Sequence, residues 1–128
     1  MEHPPEERRT VAPSAHAVAL GVDHVRLSYV YLDRRDTEGY ASLVDPGSDP
    51  LSAGAVPRTR SDRVPPPPSA GGHHELHRVI SGNDSVAVVG TYVRNDGGRR
   101  DFVDVFTISE HGLLLTRKRF QPVEQQLL

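Results

Sequence analysis

The chain has no cysteine, which removes disulfides, thiolate nucleophiles and sulfur-ligated zinc from the chemistry open to it. It has no surplus of one charge either: 15 Lys and Arg stand against 17 Asp and Glu in mixed order, a net charge of −2 over 128 residues. No basic stripe exists to neutralise a phosphate backbone, so nucleic acid is not an expected partner. No apolar run approaches the roughly 18 residues that cross a bilayer. The opening MEHPPEERRT carries charge where a secretory leader needs an apolar core. The expectation is a cytoplasmic protein without a membrane partner.

Apolar residues are sparse at 36%, but they cluster in three periodic stretches, enough for one small core and no second domain. Residues 1–13 combine Pro4, Pro5 and Pro13 with Glu6, Glu7, Arg8 and Arg9. Such a segment buries too little apolar surface to offset the entropy of ordering and reads as a disordered arm. Ser14 then caps a helix, because Val18, Val22, Val25, Tyr29 and Leu32 recur at the spacing of one helical face. Residues 36–44 read as a short second helix that turns Tyr40, Leu43 and Val44 inward and stops at Asp45-Pro46-Gly47.

Residues 45–72 are rich in Pro, Gly, Ser and Arg, with at most a helical turn or two at 60–64 and an extended stiff connector at 65–68. Strands follow at 73–80 and 86–93, joined at Ser81-Gly82-Asn83-Asp84, then at 99–109 and 113–120, joined at Glu110-His111-Gly112. Two helices followed by two hairpins give an α+β layer in which the helices cover one face of a curved antiparallel sheet. The domain spans 14–121, and 122–128 form a tail.

The stretch Phe102-Val-Asp104-Val-Phe-Thr-Ile-Ser-Glu-His-Gly112-Leu-Leu-Leu resembles the penultimate strand, tight turn and last strand of ketosteroid isomerases and SnoaL-like polyketide cyclases. The spacing of eight from Asp104 to Gly112 matches. YVYLDRRDTEGYASLV at 29–44 is similar to the first helix and acidic turn of the same group. The resemblance is to the nuclear transport factor 2-like superfamily. It implies a cone-shaped α+β fold holding an apolar small molecule, with no cofactor. In ketosteroid isomerases the aspartate matched by Asp104 is held neutral by an apolar site and helps stabilise an enolate oxygen.

The pattern is incomplete. The isomerase base would fall near Ser52 and its oxyanion-hole tyrosine at Ser28, one residue before Tyr29. The acid–base aspartate of the cyclases would fall at about Arg119. Phe102 stands where limonene-epoxide-hydrolase relatives have the arginine of an Arg-x-Asp pair. Steroid isomerisation is not expected.

Among the residues themselves, Asp104 shares a strand face with Phe102, Phe106 and Ile108. A carboxyl there is either a desolvated acid in a pocket or one half of an ion pair with Arg117 or Arg119, which alternation puts on the same side. Tyr29 and Tyr31 can turn a hydroxyl into the cone or simply join the core. His77 is a general acid–base candidate if it faces the cone. His73, Glu75 and His77 share a strand face but lack the helical spacing of a zincin, so no metal is expected.

The expected site therefore has Asp104, His77 and Tyr29 as catalytic residues. Tyr31, Val89, Thr91, Phe102, Phe106, Leu115, Arg117 and Arg119 line its ligand pocket. The first expectation is a tailoring enzyme of natural-product biosynthesis that cyclises, isomerises or dehydrates an apolar polyketide-like intermediate. The alternative is a non-catalytic ligand-binding or dimerisation module. An apolar outer sheet face, assigned Val86, Val88, Tyr92, Val103 and Val105, predicts a homodimer under both readings.

Overall fold

The computed structural model describes residues 12–55 and 71–122. Most of the predicted arm at 1–13, the helical turn at 60–64, the proline connector at 65–68 and most of the tail at 122–128 lie outside the described residues. The architecture is α+β: two helices, α1 (Ala15–Asp33) and α2 (Thr37–Ala41), precede one antiparallel sheet. The sheet holds β1 (Gly72–Ser81), β2 (Ser85–Arg94), β3 (Arg99–Ile108) and β4 (Leu114–Phe120) in that spatial order, an open meander.

Ser14 starts α1 as read from the sequence, its hydroxyl accepting from the Ala17 N–H at 3.1 Å. The helix buries Ala17, Val18, Gly21, Val25, Ser28 and Tyr29, with Val22 and Leu32 packed at the margin of the core. Complete burial of a side chain such as Val25 contributes about 1.5–3 kcal/mol. Gly21 sets how close α1 comes to the sheet: a Cβ there would stand 2.7 Å from Ile108 Cγ2. The helix ends with Arg34 as cap and Arg35 in the left-handed region at φ 56°. The Arg35 N–H bonds Leu32 O and the Asp36 N–H bonds Tyr31 O, the paired bonds of a Schellman ending.

The second helix is shorter than the sequence implies. Asp36 caps it through the Gly39 N–H at 2.8 Å, but it stops at Ala41. Beyond it the backbone turns to meet the sheet, where Leu114 N–H bonds Leu43 O at 2.8 Å and Asp45 N–H bonds Leu114 O at 2.9 Å. Tyr40, Leu43 and Val44 nevertheless point inward, as expected, at 2%, 5% and 7% exposure. Farther along, the Arg117 N–H bonds Ser52 O, so 45–55 run beside the last strand.

The inner sheet face follows from the register: Asp104 lies opposite Val88 on one side and Arg119 on the other, and Val88 lies opposite Val79. Phe102, Asp104, Phe106 and Ile108 of β3 and Val86 and Val88 of β2 are all buried beneath the helices. This corrects the assignment of Val86, Val88 and Tyr92 to the outer face, since they alternate with Ala87, Val89, Thr91 and Val93, which point the other way. Val103 and Val105 do lie outside. In β2 both faces are apolar, so its pattern fits either phase equally well.

The β3–β4 turn is fastened to α1. Gly112 adopts φ 78° with Ala17 O and Leu20 within 3.0 Å of where a Cβ would stand, so a side chain there meets both backbone strain and contact. His24 Nδ1 lies 2.7 Å from Gly112 O.

Candidate functional site

Asp104 projects from β3 into the space under α1 and is completely buried. Tyr29, on the buried stripe of α1, donates its hydroxyl to Asp104 Oδ2 at 2.6 Å. Arg119, opposite Asp104 in β4, grips the carboxylate with both arms, Nε to Oδ1 and Nη2 to Oδ2, each at 2.8 Å. This two-pronged geometry is the strong form of the arginine–carboxylate bond. The guanidinium also lies 4.4 Å from the centroid of the Phe102 ring, a favourable cation–π placement.

The chain of contacts extends to two residues the sequence reading left out. Arg119 Nη2 is 3.3 Å from His74 Nε2. His74 Nδ1 is 2.6 Å from Asp33 Oδ1, and its backbone N–H also donates to the Asp33 carboxylate. A guanidinium can only donate, so Nε2 accepts and Nδ1 carries the proton toward Asp33, the neutral imidazole. The network thus runs Asp33, His74, Arg119, Asp104, Tyr29. Among the described residues no buried side-chain nitrogen or oxygen lacks a partner.

Aromatic rings enclose the network. The Tyr29 ring stands 5.0 Å from His74 and 5.9 Å from both Phe102 and Phe106, edge-on to the latter, and His74 lies 4.8 Å from Tyr92. Burial, followed by the charge and hydrogen bond of Asp104, drives the Tyr29 phenol far above its ordinary range. Burial also lowers the His74 imidazole despite the opposing pull of Asp33. Burial alone would lower the Arg119 guanidinium, but its hydrogen bonds and charge contact with Asp104 outweigh that and raise it. Nearby, burial pushes the Tyr40 phenol up to about 12, and its hydroxyl donates to Ala53 O.

Of the expected site, the fold brings together Asp104, Tyr29, Phe102, Phe106 and Arg119. Arg117 shares their face, opposite Phe106, but its guanidinium lies beside Gly54 and Tyr40. Tyr31 sets its ring over Gly39 of α2, a packing role. Leu115 sits at the register shift of β4 and is half-buried, while Leu114 takes the core position.

His77, Val89 and Thr91 are corrections, because all three lie on the outer face. The register of β1 slips between Leu76 and Arg78, a bulge at His77. On β1 it is His74 and Leu76, not His73, Glu75 and His77, that share the inner side. His73 and Glu75 form an exposed 3.3 Å contact, and Glu75 also takes Arg99 Nη2 at 3.1 Å. Among the described residues no three His, Asp or Glu converge as a metal site, and no helix is long and apolar enough to cross a membrane.

His74 and Asp33 had a signal in the sequence. Asp33 follows Tyr29 by four residues, one turn along the same helical face, and His74 alternates with the outward His73 and Glu75. The outer residues form a string of their own: Thr91 donates to Asp101 Oδ1 at 2.7 Å, and His77 Nε2 stands 2.8 Å from Thr91 Oγ1. A cavity of about 560 Å³ opens beside it, lined among others by His77, Val89, Asp101, Val103 and Phe120. Chemically, the inner network is a saturated ion pair, and the outer face offers the open surface. A scan against protein-family models matches none to this chain, and a search of curated proteins returns no match.

Proposed function

We propose that this chain is a non-catalytic, cytoplasmic module of nuclear transport factor 2-like type whose cone is sealed around a structural ion pair and which works as a homodimer through its outer sheet face. The observation that carries the reading is the state of Asp104. It already receives three hydrogen bonds, two from Arg119 and one from Tyr29, at zero exposure. A general acid or base must reach its substrate, and here the reach is occupied by protein.

The outer face has the opposite character. Ala87, Val89, Val93, Val103 and Val105 are half-buried in a face that no described element covers. Its rim carries charges of both signs, Glu75 and Asp101 together with Arg78, Arg99 and Lys118, from which a second copy can form complementary contacts. At the usual strand spacing and rise, four strands of this length present roughly 600 Å² per copy and roughly 1,200 Å² in a symmetric pair, the lower edge of stable interfaces.

Sedimentation of the wild type and of Val105→Glu tests this. Val105 lies across from Lys118, so the new carboxylate is accommodated in the monomer. The wild type sediments as a dimer and the variant as a monomer with an unchanged circular dichroism spectrum. A monomeric wild type at about 100 µM, well above the micromolar constants of weak specific pairs, or a variant that stays dimeric, overturns the proposal.

A second reading keeps the acid–base enzyme acting on an apolar polyketide-like ligand in the cone. What favours it is the 2.6 Å contact that places a phenol on the Asp104 carboxylate. It requires a substrate oxygen to displace Arg119 from that carboxylate.

A further inference from the structure

We propose that the cavity beside the His77–Thr91–Asp101 string is a binding site for an amphiphilic amine, a cationic head on a short apolar body. The argument starts from proton counting. A threonine hydroxyl has one proton, and Thr91 directs it to Asp101 Oδ1 at 2.7 Å. The 2.8 Å contact from His77 Nε2 to the same oxygen must then be donated by the ring. In the neutral imidazole this leaves a lone pair on Nδ1. Asp101 keeps its second carboxylate oxygen for another donor.

Both groups that remain are acceptors, and both residues line the cavity. A ligand satisfies them by donating, and an ammonium does so with complementary charge. At these two groups a carboxylate or phosphate would set lone pair against lone pair.

Thr91 is only 4% exposed although it faces outward, and its hydroxyl is held between the His77 and Asp101 side chains. Arg99, two residues before Asp101 on the same face, is engaged by Glu75 at 3.1 Å, so the Asp101 charge is not cancelled along its own strand. Apart from Gln121 at its rim, the rest of the cavity is apolar. Val89 and Val103 form its floor, and Phe120 stands at its edge, 56% exposed. On the opposite face, Gly90 leaves room for the buried Phe102 ring, which would stand 2.7 Å from a Cβ there. Few polar anchors set against apolar walls are the usual make-up of a small-molecule site, and the hollow, about 560 Å³ and open to solvent on one side, leaves part of the ligand in water.

The inference goes beyond pairing and overlaps the face proposed for it at Val89 and Val103. The site lies at the end where β3 begins and β4 stops.

The test is a titration of the full chain with n-octylamine, followed by amide chemical shifts, with n-octanoate as a probe of equal length and opposite charge. Sedimentation of the same samples without amine is run alongside. Octylamine shifts His77, Thr91, Asp101 and Phe120 and binds at least about tenfold more tightly than octanoate, the factor that one charge-assisted contact supplies. Asp101→Asn weakens octylamine by a similar factor. Phe120→Ala, at an exposed position that does not endanger the fold, weakens both probes. Equal binding of the two probes, unchanged affinity in Asp101→Asn, or shifts confined to other regions overturns the site. A monomer that binds octylamine in this way removes only the pairing proposal. Because the partner copy would cover Val89 and Val103, a dimeric wild type is also titrated as the Val105→Glu monomer, and failure of that monomer to bind removes only this one.

Discussion

His74 shows how much one side chain can be asked to do when every neighbour already has a role. Asp33 of α1 accepts the hydrogen bond from its Nδ1–H, Arg119 of β4 donates to its Nε2 lone pair, and Tyr29, Tyr92 and Phe102 stand around the ring. Protonating Nε2 would turn an acceptor into a donor facing another donor, beside a positive guanidinium and out of water. Burial and this arrangement agree on the direction, and the folded imidazole titrates below its ordinary value of 6.5. In the window below 6.5 the unfolded chain therefore holds more protons than the folded one, and stability falls as pH falls. The urea midpoint is expected to drop between pH 7 and pH 5.5 in the wild type. It should stay flatter in His74→Asn, which keeps a donor near Asp33 but does not titrate. Equal slopes in the two proteins would rule His74 out as the source.

At the scale of elements, the end of α1 carries a correctable strain. Arg35 occupies the left-handed position of the Schellman ending at φ 56°, where a residue with a Cβ is disfavoured by about 1 kcal/mol relative to glycine. Arg35→Gly is expected to raise the urea midpoint at an unchanged m-value, by an amount near that figure. A lower midpoint would mean that the arginine side chain contributes more than its backbone costs.

The elements also show what the sequence could and could not convey. Ser14, the stripe from Val18 to Leu32 and the four strands were legible because caps and periodicity are local properties. The phase of β2 was not, since Val86, Val88, Val89 and Val93 place apolar groups on both sides and only the pairing with β3 decides which are inside. The bulge at His77 and the register slip at Leu115 likewise leave no mark in a strand's own residues. The ion pair of Asp104 with Arg119 could be named as an option from alternation, but the grip of both arms and the arrival of His74 depend on partners from three other elements.

For the molecule as a whole, the Asp104 network is the point where α1, β1, β3 and β4 meet. Removing one partner strands a buried charge at the centre of all four, which typically costs about 3–5 kcal/mol, a large share of a small domain's stability. Arg119→Met is therefore expected to lower the urea midpoint strongly, with helix and tyrosine signals moving in one transition. A small change, or separate transitions for helix and sheet, would show that the network is peripheral to cooperative folding.

The same meeting point has a kinetic side. Tyr29 and Asp104 are 75 residues apart in the chain, and His24 and Gly112 are 88 apart. Such distant contacts make a fold slow to assemble. During synthesis, which adds about 5–20 residues per second, α1 is made several seconds before Arg119 exists. For that interval Tyr29 and Asp33 have no completed core to enter, and the apolar stripe of α1 stays open to other partners until the final strand closes over Asp104.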